Sequence, residues 1–300
     1  MSDQVKFEIN GQNATAEPGE TIWQVANRLG IEIPHLCYLP EKSYRADGNC
    51  RACMVEIDGE RTLAASCIRQ PTDGMIVNSA SARAKKSREL VFELLHVDQP
   101  LRENAHDAKS KFWDWVDKID LNPSERYHTK IQPRADKSHT AIAVHLDSCI
   151  QCNLCVRACR EVQSNDVIGM ANRGHQAKIV FDFDSAMGSS TCVACGECVQ
   201  ACPTGALMEG NLLNEQGVRT EYEERSVKTL CPFCGVGCQT KVFVKNNKIV
   251  TLSLAIDSIT IIKLVLKPVD PTAPTIIPAV AIAIPTATIF KAPFSKPTIV

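Results

Sequence analysis

Hydrophobic residues occupy every second position near the N-terminus, at Val5, Phe7 and Ile9, directly before Asn10 and Gly11. Alternation with a period of two is typical of a strand with one buried face. An Asn-Gly pair is a strong signal for a two-residue turn between antiparallel strands. The pattern therefore predicts an N-terminal β-hairpin.

The spacing of apolar residues then changes to that of a helix. Thr21 and Gln24 form a capping-box pair, and Gly30 supplies a stop signal. The expected buried stripe comprises Ile22, Val25, Ala26 and Leu29. Short strands are predicted at 54–57 and 75–77, so the region is expected to be a β-grasp sheet with one helix packed across it.

A second helix is predicted over 81–96, followed by a polar connector that extends to residue 138. The residues expected on the buried face of this helix are Leu90, Val91, Leu94 and Leu95. The aromatic residues expected to anchor the connector on its neighbours are Phe112, Trp113 and Trp115.

Composition adds one decisive fact, because 15 of the 300 residues are cysteines and they fall in tight groups. Grouped cysteines are typical of metal ligands in a reducing compartment rather than of a disulfide framework. The net charge of -1 gives no reason to expect nucleic acid or an anionic membrane as a partner. The first residues lack a signal-peptide pattern, so we expect a cytoplasmic protein.

The first group comprises Cys37, Cys50, Cys53 and Cys67. Four thiolates can hold a [2Fe–2S] cluster or a zinc ion. Zinc sites usually pair two Cys-x-x-Cys units, and only Cys50 and Cys53 form one here, so the spacing favours [2Fe–2S]. Gly48 and Ala52 would allow backbone N–H groups to approach the sulfurs. Four cysteines already suffice as ligands, so His35 is interpreted as a residue that packs beside the site or supports its ligands, and not as a ligand itself.

Two similar segments follow 43 positions apart, "LDSCIQCNLCVRACREV" and "SSTCVACGECVQACPTG". Each contains the C-x2-C-x2-C-x3-C run of two-cluster ferredoxins, in which the fourth cysteine of each run binds the other cluster. The first [4Fe–4S] cluster would use Cys149, Cys152, Cys155 and Cys202. The second would use Cys192, Cys195, Cys198 and Cys159. Zinc remains the alternative, and Arg160 replaces the expected proline after the first run.

A third group, Cys231, Cys234 and Cys238, lies in "TLCPFCGVGCQTKVFV". A [4Fe–4S] cluster takes four thiolates, and no cysteine follows in the remaining 62 residues. The group is therefore expected to be an incomplete third cluster site. The chain shows no nucleophile–base pattern, so no catalytic residue is predicted.

The order of these motifs resembles the N-terminal iron–sulfur half of a formate dehydrogenase alpha subunit, of the NAD-linked type related to the large subunit of complex I. "CIQCNLCVRACREVQSNDVIGMANRGH" and "CPFCGVGCQT" carry the resemblance. It implies a molybdenum or tungsten bis-pterin in the full-length family, whose domain is expected to be absent here. It also implies a flavin- and NAD-binding partner subunit. The segment "KVFVKNNKIV" resembles the hairpin that follows the family's third cysteine group.

Two departures from the family are visible. Relatives often bind a further cluster through one His and three Cys in the connector, but no cysteine lies between Cys67 and Cys149. His96 is therefore interpreted as an ordinary residue at a helix end. The family's fourth ligand after Cys238 is also missing, so this chain alone is expected not to oxidise formate.

The predicted fold class is α+β. The expected divisions are a β-grasp [2Fe–2S] domain at 1–80, a helical connector at 81–138, a two-cluster [4Fe–4S] domain at 139–210, a linker at 211–227, the start of a molybdopterin-oxidoreductase [4Fe–4S] domain at 228–252, and an irregular tail at 253–300.

The tail contains no Gly, Arg, Cys or Glu, and an uncharged stretch runs from 271 to 290. Four prolines interrupt that stretch, which argues against a membrane span. A Pro-rich disordered tail is the second alternative. The abrupt change in composition favours a third, a shifted reading frame. The function expected from the sequence is electron transfer within a formate dehydrogenase. A stand-alone carrier subunit of an NAD-reducing hydrogenase or complex I-like enzyme is the alternative.

Overall fold

The computed structural model describes residues 4–41, 43–121, 126–127, 133–220, 225–231, 237–245 and 247–254. The chain divides into two compact units, Met1–Thr220 and Glu221–Val300. Cys234 and residues 255–300 lie outside the described residues, and so do the interpretations given above for the tail beyond residue 254.

A five-stranded mixed sheet forms the first part of the first unit. Its strands are β1 (Val5–Ile9), β2 (Gln12–Ala16), β3 (Met54–Ile57), β4 (Ala64–Ala65) and β5 (Ile76–Asn78). Their spatial order is β2-β1-β5-β3-β4. Because β1 pairs antiparallel with β2 and parallel with β5, the predicted β-grasp arrangement is confirmed.

The first helix, α1 (Ile22–Arg28), begins at the predicted capping box. The Thr21 N–H donates to Gln24 Oε1 at 2.8 Å, and the Gln24 N–H donates to Thr21 Oγ1 at 3.3 Å. Trp23 is buried and donates from Nε1 to the Ile33 carbonyl at 3.0 Å. Leu29, expected in the buried stripe, is instead the C-terminal cap and is exposed, because the helix ends one residue before it.

The second helix, α2 (Ala82–Val97), begins after Ser81, but it does not bury the predicted face. Phe92 is fully buried, whereas 52% of Leu94 is exposed. Phe92 stacks on Phe112 with ring centroids 6.0 Å apart, and Arg88 donates to the Ser79 carbonyl at 2.6 Å. These partners rotate α2 so that the aromatic residue faces inward.

The connector contains the third helix, α3 (Lys111–Ile119). Its three aromatic residues, Phe112, Trp113 and Trp115, are buried in one cluster, which confirms their predicted anchoring role. The Phe112 N–H donates to the Pro203 carbonyl at 3.0 Å, so the start of α3 is fixed to the residue that follows Cys202.

Two small antiparallel sheets accompany the two cysteine runs along the chain. Their strands are β6 (Ile142–Val144) with β9 (Leu207–Glu209), and β7 (Ile168–Ala171) with β8 (Lys178–Phe181). Two short helices, α4 (Leu154–Arg157) and α5 (Glu197–Ala201), start at equivalent places in the two repeats. Val144, at the end of β6, and Leu207, at the start of β9, are both buried in the core around the cysteines.

The second unit contains a three-stranded antiparallel sheet with the middle strand second in sequence. The strands are β10 (Arg225–Leu230), β11 (Gln239–Lys245) and β12 (Lys248–Leu254). The hairpin expected after the third cysteine group is therefore present. Across the described residues of both units, every helix is too short or too polar to cross a bilayer.

Candidate iron–sulfur centres

The first four cysteines converge in the loops beside the β-grasp sheet. Cys37, Cys53 and Cys67 are each 1% exposed. The Cys37 N–H lies 3.4 Å from the Cys50 sulfur, and the Cys50 N–H lies 3.3 Å from the Cys37 sulfur. The sulfur of Cys67 is within hydrogen-bonding reach of those of Cys37 and Cys53, so all four thiols form one continuous group.

These thiols perturb one another strongly. Hydrogen bonds from Cys50 and Cys67 lower the pKa of Cys37, and the same contact with Cys37, together with burial, raises the pKa of Cys50. The protein thus collects thiols where water cannot solvate their anionic form. Such a donor set fits a cationic iron centre, which compensates the charge of the thiolates.

Small residues allow the backbone to approach these sulfurs, as the sequence suggested. Ala52 is fully buried, and Gly48 adopts a positive φ of 65°. A Cβ atom at Gly48 would lie 2.9 Å from Ile68 Cδ1. The positive φ and this close approach therefore favour glycine at this position.

The first run and the last cysteine of the second run enclose one cavity. Its lining includes Cys149, Cys152, Cys155 and Cys202. A second cavity is lined by Cys159, Cys192, Cys195 and Cys198. The structure thus brings together the two interleaved sets that the spacing predicts.

The two cavities share local backbone geometry. Gln151 and Ala194, two residues after the first cysteine of each run, both have a φ of 56°. The N–H of each lies 3.4 Å from the sulfur of that first cysteine, Cys149 or Cys192. Hydrogen bonds from N–H to sulfur stabilise negative charge on a bound cluster.

Burial dominates the electrostatics of three deeply buried cysteines in these cavities, Cys152, Cys155 and Cys198. It raises the pKa of Cys152 and Cys155, and repulsion from the other cysteines adds to the effect. The pKa of Cys198 rises to about 12 for the same reasons. Four thiolates in such a cavity need a compensating cation, so these residues also fit iron centres.

The third group is described in part. The Cys231 N–H donates to the Cys238 carbonyl at 2.8 Å, so these two residues lie close together at the ends of their loop. Gly237 has a positive φ of 70°, consistent with the tight turn expected there. Cys234 lies outside the described residues.

The histidines noted in the sequence pack against aromatic rings. His35 is 4.4 Å from Trp23 between ring centroids, and burial lowers its pKa to about 4. His96 packs edge-on to Trp113 at 5.4 Å. Arg160 is ion-paired with Asp166 and its side chain is 55% exposed, so its charge lies largely at the surface.

Sequence reasoning missed a buried arginine between the first two centres. Arg157 is 2% exposed, and its guanidinium donates to the Cys37 carbonyl at 2.7 Å. Its equivalent in the second repeat is Gln200. The difference between a charged residue in one repeat and a neutral residue at the same position of the other could have identified Arg157 from the sequence.

Sequence reasoning also missed the hydrogen bond of Tyr44 and the electrostatic environment of Lys111. Tyr44 is buried, and its hydroxyl donates to Glu197 Oε1 at 2.8 Å. Burial lowers the pKa of Lys111 to about 8, against the opposing effect of Cys50, Cys37 and Cys152. Both interactions link segments far apart in sequence, so no local pattern indicates them.

A third missed group comprises His106, His145 and Asp147, whose ligand types alone would suggest a cation site. His106 Nδ1 donates to the Gly217 carbonyl at 2.7 Å, and Nε2 donates to the Asp147 carboxylate at 3.0 Å. The His106 and His145 rings are stacked 3.8 Å apart at 19°, so their in-plane lone pairs do not converge on one ion. The group acts instead as a hydrogen-bonded contact between the connector and the first cysteine run.

Three family models match the chain in sequence order. They are the 2Fe-2S iron-sulfur cluster binding domain over residues 2–82, the 4Fe-4S dicluster domain over 148–206, and the molybdopterin oxidoreductase Fe4S4 domain over 224–260. The fold and its cysteine centres therefore define an iron–sulfur protein that binds one [2Fe–2S] and two [4Fe–4S] clusters, with the start of a further cluster domain.

The chain is similar to iron–sulfur subunits related to molybdopterin oxidoreductases. An NADH-quinone oxidoreductase subunit of Rhizobium meliloti is 30% identical over 81% of this chain and 28% of its own length. The NADP-reducing hydrogenase subunit HndD of Solidesulfovibrio fructosivorans is 35% identical over 67% of this chain and 35% of its own length. A putative formate dehydrogenase, SH0748 of Staphylococcus haemolyticus, is 24% identical over 86% of this chain and 30% of its own length.

One solved structure extends the comparison. An NAD+-reducing [NiFe]-hydrogenase in the H2-reduced state contains a chain with a TM-score of 0.63 and 26% identity. The match covers 69% of this chain and 87% of that chain. By contrast, the chain spans about a third or less of the length of the curated relatives described above.

Proposed function

We propose that this chain is the iron–sulfur electron-transfer portion of a formate dehydrogenase alpha subunit. It would pass electrons between a molybdopterin site that oxidises formate and a partner subunit that binds flavin and NAD. The observation that carries the proposal is the continuity of the cluster sites within one packed unit. Cys37 and Tyr44 of the β-grasp part belong to the same core as the cysteines of the repeat.

The match to the molybdopterin oxidoreductase domain over residues 224–260 is compatible with a formate dehydrogenase and supports a chain with more than the first three clusters. A carrier that needed only the first three clusters would have no use for "CPFCGVGC". The formate dehydrogenase-like relative matches over 86% of this chain and supports the same choice.

A second candidate is an electron-carrier subunit of an NAD-reducing hydrogenase or a complex I-like enzyme. The solved hydrogenase chain and the HndD relative support it, with 26% and 35% identity respectively. The two candidates share the same clusters and differ in what reduces them.

The proposed ligands are the sets that the structure groups together, with Cys234 added from the sequence. The [2Fe–2S] cluster would take Cys37, Cys50, Cys53 and Cys67. The first [4Fe–4S] cluster would take Cys149, Cys152, Cys155 and Cys202, and the second Cys192, Cys195, Cys198 and Cys159. A third [4Fe–4S] site would include Cys231, Cys234 and Cys238. Bound clusters supply one-electron redox chemistry.

The protein's own contribution is to bury most of the sulfurs of the first three sites and to direct N–H and hydroxyl groups toward them. The Val167 N–H lies 3.3 Å from the Cys159 sulfur, and the Thr204 hydroxyl lies 3.7 Å from the Cys202 sulfur. Such contacts, with exclusion of water, tune cluster potentials.

Anaerobic purification with iron and sulfide analysis tests the cluster assignment. We expect about ten irons per chain, two from one [2Fe–2S] and eight from two [4Fe–4S] clusters. Two irons or fewer would refute the two-cluster ferredoxin part. Substitution of Cys53 by Ser should selectively remove the [2Fe–2S] absorption.

The reductant distinguishes the two candidates. The chain would be tagged in its host and purified with whatever subunits accompany it, and the clusters would be monitored by EPR under formate or under H2. Reduction by formate alone supports the first candidate, and reduction by H2 alone supports the second.

A further inference from the structure

Arg157 lies at the end of α4, between two proposed ligands of different clusters, Cys155 and Cys159. A guanidinium is charged at every accessible pH, so burial of this side chain places a fixed positive charge inside the protein. Burial of a charge is costly unless the protein supplies partners. The partners of Arg157 therefore indicate why the charge is there.

Those partners belong to two different cluster loops. Nη2 donates to the Cys37 carbonyl at 2.7 Å and lies 3.5 Å from the Cys152 carbonyl. Cys37 is a proposed [2Fe–2S] ligand, and Cys152 is a proposed ligand of the first [4Fe–4S] cluster. Nη2 of Arg157 thus lies between the backbone of the [2Fe–2S] ligand loop and that of the first [4Fe–4S] ligand loop.

The other terminal nitrogen holds the same [2Fe–2S] loop at a second place. Nη1 donates to the Arg45 carbonyl at 2.6 Å and lies 3.2 Å from Asp47 Oδ2. The planar fork of arginine can satisfy these directions together, whereas a lysine ammonium cannot reproduce the geometry.

Asp47 also binds Arg45, whose side chain is 63% exposed. The surface pair and the buried arginine form one charge network in which Asp47 is shared. The hydrogen bonds of the described residues distinguish the members of this network. Arg157 is the member that donates to the carbonyl of a proposed cluster ligand.

We propose that Arg157 is a positioning residue that holds the [2Fe–2S] loop against the first [4Fe–4S] loop and raises the reduction potential of both clusters. The proposal rests on the cluster ligands proposed above. One-electron reduction adds a negative charge to a cluster, and a buried cation beside its ligands stabilises that charge. The second [4Fe–4S] cluster, whose ligands Arg157 does not contact in the described hydrogen bonds, would be less affected.

The test is an EPR-monitored redox titration, with dithionite as reductant, of the full chain and of Arg157→Gln. We expect the reduction equilibria of the [2Fe–2S] and first [4Fe–4S] clusters to become at least tenfold less favourable. That change corresponds to a shift of about 59 mV to more negative potential for a one-electron couple. Unchanged potentials in a variant with full iron content would overturn the proposal.

Arg45→Gln is the matched control, because it removes one positive charge from the same Asp47 at the surface. We expect a smaller shift in both potentials than in Arg157→Gln. Equal shifts in the two variants would contradict a specific role for the buried guanidinium.

Asp47→Asn keeps the inference testable if Arg157→Gln does not assemble clusters. It retains Arg157 and removes the negative charge beside it, so both potentials should become more positive. Absence of that shift would refute the electrostatic role. An iron content of two or less in the unaltered chain would instead refute the proposed function.

Discussion

The contact between Tyr44 and Glu197 offers a sharp test of how the [2Fe–2S] loop is held on the two-cluster part. Tyr44 is 5% exposed, and its hydroxyl donates to Glu197 Oε1 at 2.8 Å. Burial, together with Glu197, raises the pKa of Tyr44, so the hydroxyl remains a donor at neutral pH. Tyr44→Phe removes this hydroxyl while retaining the ring.

The expected loss follows from the type of bond. A hydrogen bond to a charged group contributes about 1.5–3 kcal/mol. Gln163 is the second partner of Glu197, at 3.4 Å, and this long contact compensates little. The free energy for opening the loop should therefore fall by that amount, which corresponds to about 10- to 150-fold faster exchange.

Native-state hydrogen exchange is the suitable assay, because it reports local opening without assuming that a multi-cluster protein unfolds in one step. Amides of the loop around Tyr44 should exchange faster in Tyr44→Phe, with smaller acceleration in Glu197→Gln, which retains an acceptor oxygen. Unchanged exchange in the loop, or equal acceleration across the whole β-grasp sheet, would refute the reasoning.

Three further predictions concern other parts of the first unit. Cys202→Ser should alter the iron content and EPR signal of the cluster held by the first cysteine run, and Cys159→Ser should alter the other cluster; the reverse outcome would contradict interleaved ligation. Burial opposes protonation of His106, but hydrogen bonds to Asp147 and Gly217 outweigh it and raise its pKa. The stabilisation by protonated His106 should be complete below the unfolded pKa of about 6.5 and should disappear as pH rises through the higher folded pKa. Hydrogen exchange measured at a series of pH values should therefore show faster opening with rising pH in the unaltered protein. The variant His106→Gln should not show this pH dependence. Gly48→Ala should destabilise the loop by about 1 kcal/mol or more, because of its left-handed backbone, and an unchanged thermal transition of [2Fe–2S] absorption would contradict this.

The order of domains was predictable from sequence, because each domain carries its own local cysteine spacing. The two interleaved cysteine sets predicted from the spacing line two separate cavities, and their assignment as cluster ligands stays a prediction. The capping box at Thr21 and Gln24 was also predictable, since both partners lie within one helical turn. The buried face of α2 was not predictable from the sequence. Leu94 follows the apolar pattern, yet the aromatic partner of Phe92 lies in the connector, beyond the reach of any local periodicity.

The sequence by itself determined which residues could form iron–sulfur centres, since thiol spacing is a local property of the chain. Tertiary structure decided how those centres meet. Arg157 contacts Cys37 across 120 positions and Tyr44 contacts Glu197 across 153. Such contacts depend on folding the β-grasp loop into the core of the two-cluster part, where burial makes a fixed charge and a single hydroxyl matter energetically.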